Sequence, residues 1–288
     1  MSRSISYWCR ESKPRVGQAY SETTMSAFPE EQLDSPAGYF PARPGQTLKD
    51  GRWTIVRKLG WGPRSSTWLA LDNNADTLSY KAIKIFTVTA TEDSSGNNER
   101  NLLLNPAMMG ISIGIPKLRS YFYEHDAKGK RHLCLAISVL GSSAEDLRLT
   151  NIYHGEYLAV HVVQKVIGVI AMKLNNFADL KMIHGGEWKQ TIVCKRVLIS
   201  LVFASQAVTP DNFLFGCSQT GDDIQRDLKQ SKNARPVNIV GNDGVTYPSV
   251  VSQPIPHSET WDSTEEDIEY AEINLSNFAY GMGFCLKY

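Results

Sequence analysis

From Trp53 onward, apolar and polar positions alternate in short runs before the spacing lengthens. "RWTIVRKLG" and "STWLALD" read as two strands around a tight connection, and "YKAIKIF" as a third. "TEDSSGNNERNLLLNPA" supplies polar cap residues and then a short helical stretch around Glu99 to Leu104. "KLRSYFYEHDAKGKRHLCLAISVLG" predicts a β-hairpin turning at Asp126 to Lys130. The period then changes. Val160, Val163, Ile167, Ile170 and Leu174 step by three and four residues, which predicts a helix with that face in the core. Beyond Phe215 the pattern fades into "GDDIQRDLKQSKNARP" and "HSETWDSTEEDIEYAE", expected to be irregular, until "EINLSNFAYG" closes with one short strand and a turn. Residues 1–37 are polar, lack periodicity and read as a flexible extension. Strands first and helices later is an α+β pattern in two lobes.

Composition narrows the function classes. The 288 residues, 42% of them hydrophobic, can fill two lobes. Thirty basic residues balance thirty acidic ones, so charge offers no case for nucleic acid or an anionic membrane as partner. Five scattered cysteines (Cys9, Cys134, Cys194, Cys217, Cys285) argue against a disulfide framework or zinc cluster and for a reducing compartment, cytoplasmic or nuclear. The strongest apolar run, Val197 to Ala204, falls far short of the ~20 residues that span a bilayer. His154 and His161 have no carboxylate or cysteine to complete a metal set, and the acidic run Glu259 to Glu272 reads as a solvated face.

Chemistry enters at "LGWGPRSSTWLA". Gly60 and Gly62 fall between two strands, where a missing Cβ lets backbone approach a phosphate; an ordinary turn would use the same residues. Lys84 sharpens the choice. It shares a face with Ala82 and Phe86, and a lysine between apolar neighbours needs an anionic partner to offset desolvation. The alternative puts Lys84 on the solvated face, with Lys81, Ile83 and Ile85 on the other.

"LGWGPRSSTWLALD", "KAIKIF", "SVLGSSAEDL", "MIHG" and "VTPDNFLF" together resemble a eukaryotic protein kinase, in particular the SR-protein kinase group and its fungal relatives, from about Gly38 to Tyr280. The resemblance implies an antiparallel β-sheet N-lobe with one helix (38–141) and an incomplete, mostly helical C-lobe (142–288). The C-lobe would carry an insertion at 187–207 and a polar spacer at 216–272. It implies ATP and Mg²⁺ as cofactors and Ser/Arg-rich proteins as substrates. By the same resemblance Gly60, Gly62 and Ser65 form the loop over ATP, Thr67 stands at the family's adenine-covering position, Ala82 belongs to the ATP site, and Lys84 meets the α- and β-phosphates. Glu99 positions Lys84. Ile137 to Leu140, with Val139 and Leu140, form the adenine-reading hinge. His184 begins the catalytic loop, Asn212 binds metal, and Asn277 stands where the second metal ligand, an aspartate, belongs.

The pattern also breaks. His184 and Asn212 lie 28 positions apart where the family has seven, and no aspartate flanks the 21 extra residues: Gly186 stands on one side, Ala207 on the other. Loss of a general base costs about 10²- to 10⁴-fold in rate. Asn277 lacks the formal charge that hard cations favour. Pro63 removes an N–H from the loop tip, and Thr67 replaces the family's valine. Three readings follow: a degenerate kinase or pseudokinase with impaired phosphoryl transfer; an active Ser/Thr kinase whose transcript differs, the 21 residues matching a short intron kept in frame; and a non-enzymatic interaction module. Apolar helix faces left without the rest of a C-lobe predict marginal stability or a partner.

Overall fold

In a computed structural model, residues 30–31, 33, 35–105, 114–153, 159–179, 182–184, 210–256, 264, 266, 269, 271–276 and 282–284 are described; for 150–153, 170, 173–179, 182–184 and 282–284 this extends to the backbone alone. The first half is one antiparallel sheet. Its strands are β1 (Thr47–Leu48), β2 (Trp53–Gly62), β3 (Ser65–Asp72), β4 (Tyr80–Phe86), β5 (Leu118–His125) and β6 (Arg131–Ile137), in the order β1-β2-β3-β4-β6-β5. The β5–β6 hairpin turns where the sequence predicts, with the Asp126 amide donating to Lys130 and the Gly129 amide to Asp126.

Central strand β4 is buried on both faces. Ala82 and Phe86 pack into a core with Leu102, Leu103, Leu133 and Leu135, while Ile83 and Ile85 face Trp53, Trp68, Phe122 and Phe40. The choice between two faces for Lys84 therefore resolves through burial of both, with Lys84 on the Ala82–Phe86 side at 6% exposure. Two helices, α1 (Val88–Glu92) and α2 (Ser95–Leu103), lie on that side. Thr87 caps α1 by accepting from the Ala90 amide. Helix α2 begins at Ser95, four residues before the stretch expected from Glu99, after Ser94 in a left-handed conformation.

Beyond the sheet, β7 (Leu140–Ser143) leads into α3 (Ala144–Tyr153) and α4 (Val160–Asp179), followed by β8 (Met182–His184). A 3₁₀ turn at Pro210–Asn212 runs into β9 (Phe213–Gly216). Strand β9 is the middle of a small sheet, flanked by β7 and by β12 (Ile273–Leu275), while β8 pairs with β13 (Met282–Phe284).

Two expectations change here. The described part of the predicted core face of α4 is exposed: Val160 is 72% accessible and Ile167 58%, whereas Val162 is fully buried and Val166 and Val169 pack beside it; the side chains of Ile170 and Leu174 lie outside the described residues. Both stripes are apolar and about 120° apart around the helix, and packing selects the less conspicuous one. The stretch after Phe215 is not wholly irregular either. It holds α5 (Gly221–Gln230) and the hairpin β10 (Val237–Val240) with β11 (Thr246–Ser249). Thr220 and Asp223 form a reciprocal cap on α5, and Gly244, at φ +74°, closes the hairpin turn.

Nor does the N-terminal extension stay free up to residue 37. Glu30 and Glu31 both bind the ammonium of Lys58, which is fully buried on β2 and also donates to the Val250 carbonyl at 2.9 Å. Burial pushes the Glu31 carboxyl pKa up, and Lys58 opposes that shift. Glu30 in turn accepts from the amide and hydroxyl of Ser252, so the extension and the segment after β11 meet on the sheet's outer face.

Candidate functional site

Three pieces of chain converge near the inner end of β4. The first is Lys84, opposite Thr67 on β3 and Leu135 on β6. The second is α2, which approaches the sheet closely because residue 96 is glycine. A Cβ there would sit 3.1 Å from Phe86 and 3.2 Å from both the Ala90 carbonyl and Leu133. That approach delivers Glu99, 3% exposed, to the lysine: Lys84 Nζ is 2.8 Å from each carboxylate oxygen. Each charge compensates the other where neither could be left alone. The third piece is the β2–β3 connection, Gly60 to Ser65, at the end of the strand that pairs with β4.

The glycines of that connection are informative. Neither Gly60 nor Gly62 has a positive φ, and a Cβ at either would meet no atom of the described residues within 4 Å. Nothing among the described residues requires glycine there. Gly62 pairs with Ser65, which is buried on β3, and Trp61 stands 46% exposed at the tip. Thr67 is half-buried, and Ala82 lies buried on β4.

Ile137 ends β6 and Leu140 starts β7, so the predicted hinge is the two-residue link Ser138–Val139 between the sheets; Val139 and Leu140 are half-buried. Asn212, 5% exposed, closes the 3₁₀ turn, and its carbonyl accepts from the Ser276 amide at 2.8 Å. The strand just before Asn277 is thereby set beside Asn212, although Asn277 itself lies outside the described residues, as does the insertion 187–207. His184 is placed by its backbone, paired with Met282. The neighbouring Asp211 lies among Glu145, Asp146 and Arg148 of α3; burial, then the two carboxylates, push its pKa up. It thus lies against the first turns of α3. Among the described residues no group of three or more His, Cys, Asp or Glu side chains could hold a metal ion, and no helix is long and apolar enough to cross a membrane.

Comparison with known proteins points one way. No protein-family model matches the chain. A stretch of 116 residues, 38% of the chain, is 35% identical to the serine/threonine-protein kinase SKY1 of Saccharomyces cerevisiae and covers 15% of that protein. Over 125 residues (41% of the chain) it is 33% identical to the serine/threonine-protein kinase SRPK of Physarum polycephalum, covering 28% of it. Over that part, about two fifths of its length, the chain is related to the SR-protein kinases. A third relative is the serine/threonine-protein kinase spk-1 of Caenorhabditis elegans, 29% identical over 124 residues, 42% of this chain and 12% of that one. The crystal structure of a kinase domain aligns with 87% of the chain and 56% of its own length, at 17% identity and a TM-score of 0.49. The chain thus spans little more than a quarter of the SR-protein kinase relatives at most. Its antiparallel sheet and the small helices packed on it agree with that kinship.

Sequence reasoning missed the Lys58 cluster and the Tyr39 contact to Gly62, 2.9 Å from hydroxyl to carbonyl. Lysine on the predicted strand "RWTIVRKLG" was the available signal for the first; the second had none.

Proposed function

We propose that this chain is a kinase-like nucleotide-binding protein whose phosphoryl transfer is impaired. The observation that carries the reading is the buried Lys84–Glu99 pair beside the Gly60–Gly62 connection. An ammonium held by one carboxylate retains donor capacity for phosphate oxygens, and its position is fixed before any ligand arrives. At these two glycines no Cβ stands between the backbone and an approaching anion. ATP fits this donor set, with Val139 and Leu140 at the adenine end.

Mg²⁺ fits less well. Asn212 and Asn277 would hold it through neutral amide oxygens, and Mg²⁺ favours carboxylates. When bound, the ion neutralises charge on the phosphates. No aspartate occupies the general-base position between His184 and Asn212, which by itself removes about 10²- to 10⁴-fold of rate. By kinship, the protein that would receive phosphate is Ser/Arg-rich.

The test is thermal stabilisation by Mg²⁺–ATP, followed by transfer of labelled phosphate to a Ser/Arg-rich peptide. The expected result is stabilisation in the wild-type chain, its loss in Lys84→Met and in Lys84→Met/Glu99→Gln, and transfer near background. Absence of any ATP effect in a folded wild-type chain refutes the nucleotide reading. Efficient transfer refutes the impairment and establishes the active-kinase alternative. A second reading, an interaction module, draws support from the exposed Val160, Val163 and Ile167 on α4.

A further inference from the structure

We infer that Tyr39 is a positioning residue for the β2–β3 connection, holding it in a set geometry from the N-terminal side through the Gly62 carbonyl. The inference rests on the nucleotide reading above for its consequence, though not for its geometry.

The contact joins residues 23 positions apart: Tyr39 Oη donates to the Gly62 carbonyl at 2.9 Å. What gives it weight is how firmly Tyr39 is fixed by neighbours that do not touch the connection. On one side, the Gly38 carbonyl accepts from the Val88 amide at 2.9 Å and the Ala37 carbonyl from the Thr89 amide at 3.1 Å, laying the segment along the start of α1. Gly38 has φ +67°, and a Cβ on it would stand 2.9 Å from a Val88 methyl, so both conformation and space demand glycine. On the other side, Phe40 is buried in the outer core and meets the His132 ring edge-on, with centroids 5.2 Å apart. Tyr39 itself is 8% exposed and packs with Leu33 and Tyr247.

The far limb of the connection is held independently. The Arg64 carbonyl accepts from the Thr87 amide at 2.9 Å, and the Arg64 guanidinium pairs with Asp93 just after α1. Gly62 and Arg64 are therefore both tied to the α1 side, and the two links flank Pro63, which has no N–H of its own to contribute. A glycine-containing connection is otherwise the most conformationally free part of its sheet. Fixing it in advance lowers the ordering cost of seating phosphates beneath it, and the Tyr39 hydroxyl supplies that restraint at the Gly62 carbonyl.

The experiment uses the full chain and Tyr39→Phe, which removes the hydroxyl and keeps the ring. Backbone amide exchange over residues 60–64 is measured without nucleotide, and affinities for ATP and for adenosine are measured side by side. The expected result is faster exchange at 60–64, ATP affinity about three- to tenfold weaker, adenosine affinity unchanged, and an unchanged melting midpoint. Gly38→Ala, which displaces the anchor and not the hydroxyl, should reproduce the faster exchange. Unaltered exchange at 60–64 in Tyr39→Phe overturns the inference, as does an equal loss for ATP and adenosine, which would mark a general structural effect. A wild-type chain that binds no ATP removes the nucleotide reading alone, and exchange at 60–64 still decides the role of Tyr39.

Discussion

His132 shows how much a single side chain can carry. Its ring is fully buried, Nδ1–H donates to the Phe86 carbonyl at 2.8 Å, and Phe40 lies against its edge. Burial holds the imidazole pKa below its ordinary value, and the Phe86 carbonyl and Asp126 pull less strongly the other way. A group that protonates more readily unfolded than folded makes stability rise with pH across that interval. His132 should therefore cost stability as pH falls below about 6.5 and contribute no pH dependence above it. Melting curves from pH 7.5 to 5.5 should show this loss, and His132→Gln should flatten it. A pH profile unchanged by the substitution would show that His132 does not titrate on unfolding. Lys84 teaches a related lesson. Its inward face was legible from alternation with Ala82 and Phe86, and the Glu99 partner followed from kinship. The closeness of α2 was not legible, because it depends on Gly96 meeting Phe86 and Leu133 from distant strands.

At the scale of elements, what could be read was what repeats locally. Strands β2, β3 and β4 and the β5–β6 hairpin follow from alternation and a turn whose residues announce it. Helix α5 did not follow, because only Ile224 and Leu228 are apolar in a run of charges, yet its cap and its docking are specific. Its first residue explains the docking: a Cβ on Gly221 would fall 2.0 Å from the Leu78 carbonyl oxygen, backbone that cannot yield. Gly221→Ala should push α5 off the β3–β4 loop and expose Ile224, at about 1–3 kcal/mol. Limited proteolysis between residues 217 and 231 would detect it, and an uncleaved variant of wild-type stability would show that the loop simply moves aside. The α4 stripe failed for a different reason. In "VHVVQKVIGVI" two sets of valine and isoleucine satisfy a helical period equally well, and only a tertiary partner decides between them.

Across the whole molecule, the described residues bury one well-filled sheet and leave α4 with an apolar stripe in water. Replacing Val160, Val163 and Ile167 together by serine should change the melting midpoint little, since exposed positions seldom contribute more than about 0.5 kcal/mol each. Self-association in sedimentation velocity should fall or stay absent; a large drop in stability would show that the stripe is buried in solution. The segment after β11 has a broader consequence. The Gln253 amide donates to the Lys58 carbonyl on β2 at 2.8 Å, and two residues later Ile255 bridges in parallel to Gly141 on β7. One short length of chain thus acts as a brace from the large sheet to the small one, bypassing Ser138–Val139. Any rotation about that link must shear a backbone bond at one end of the brace or carry the brace along, so the chain begins with less hinge freedom than a two-residue link alone would allow.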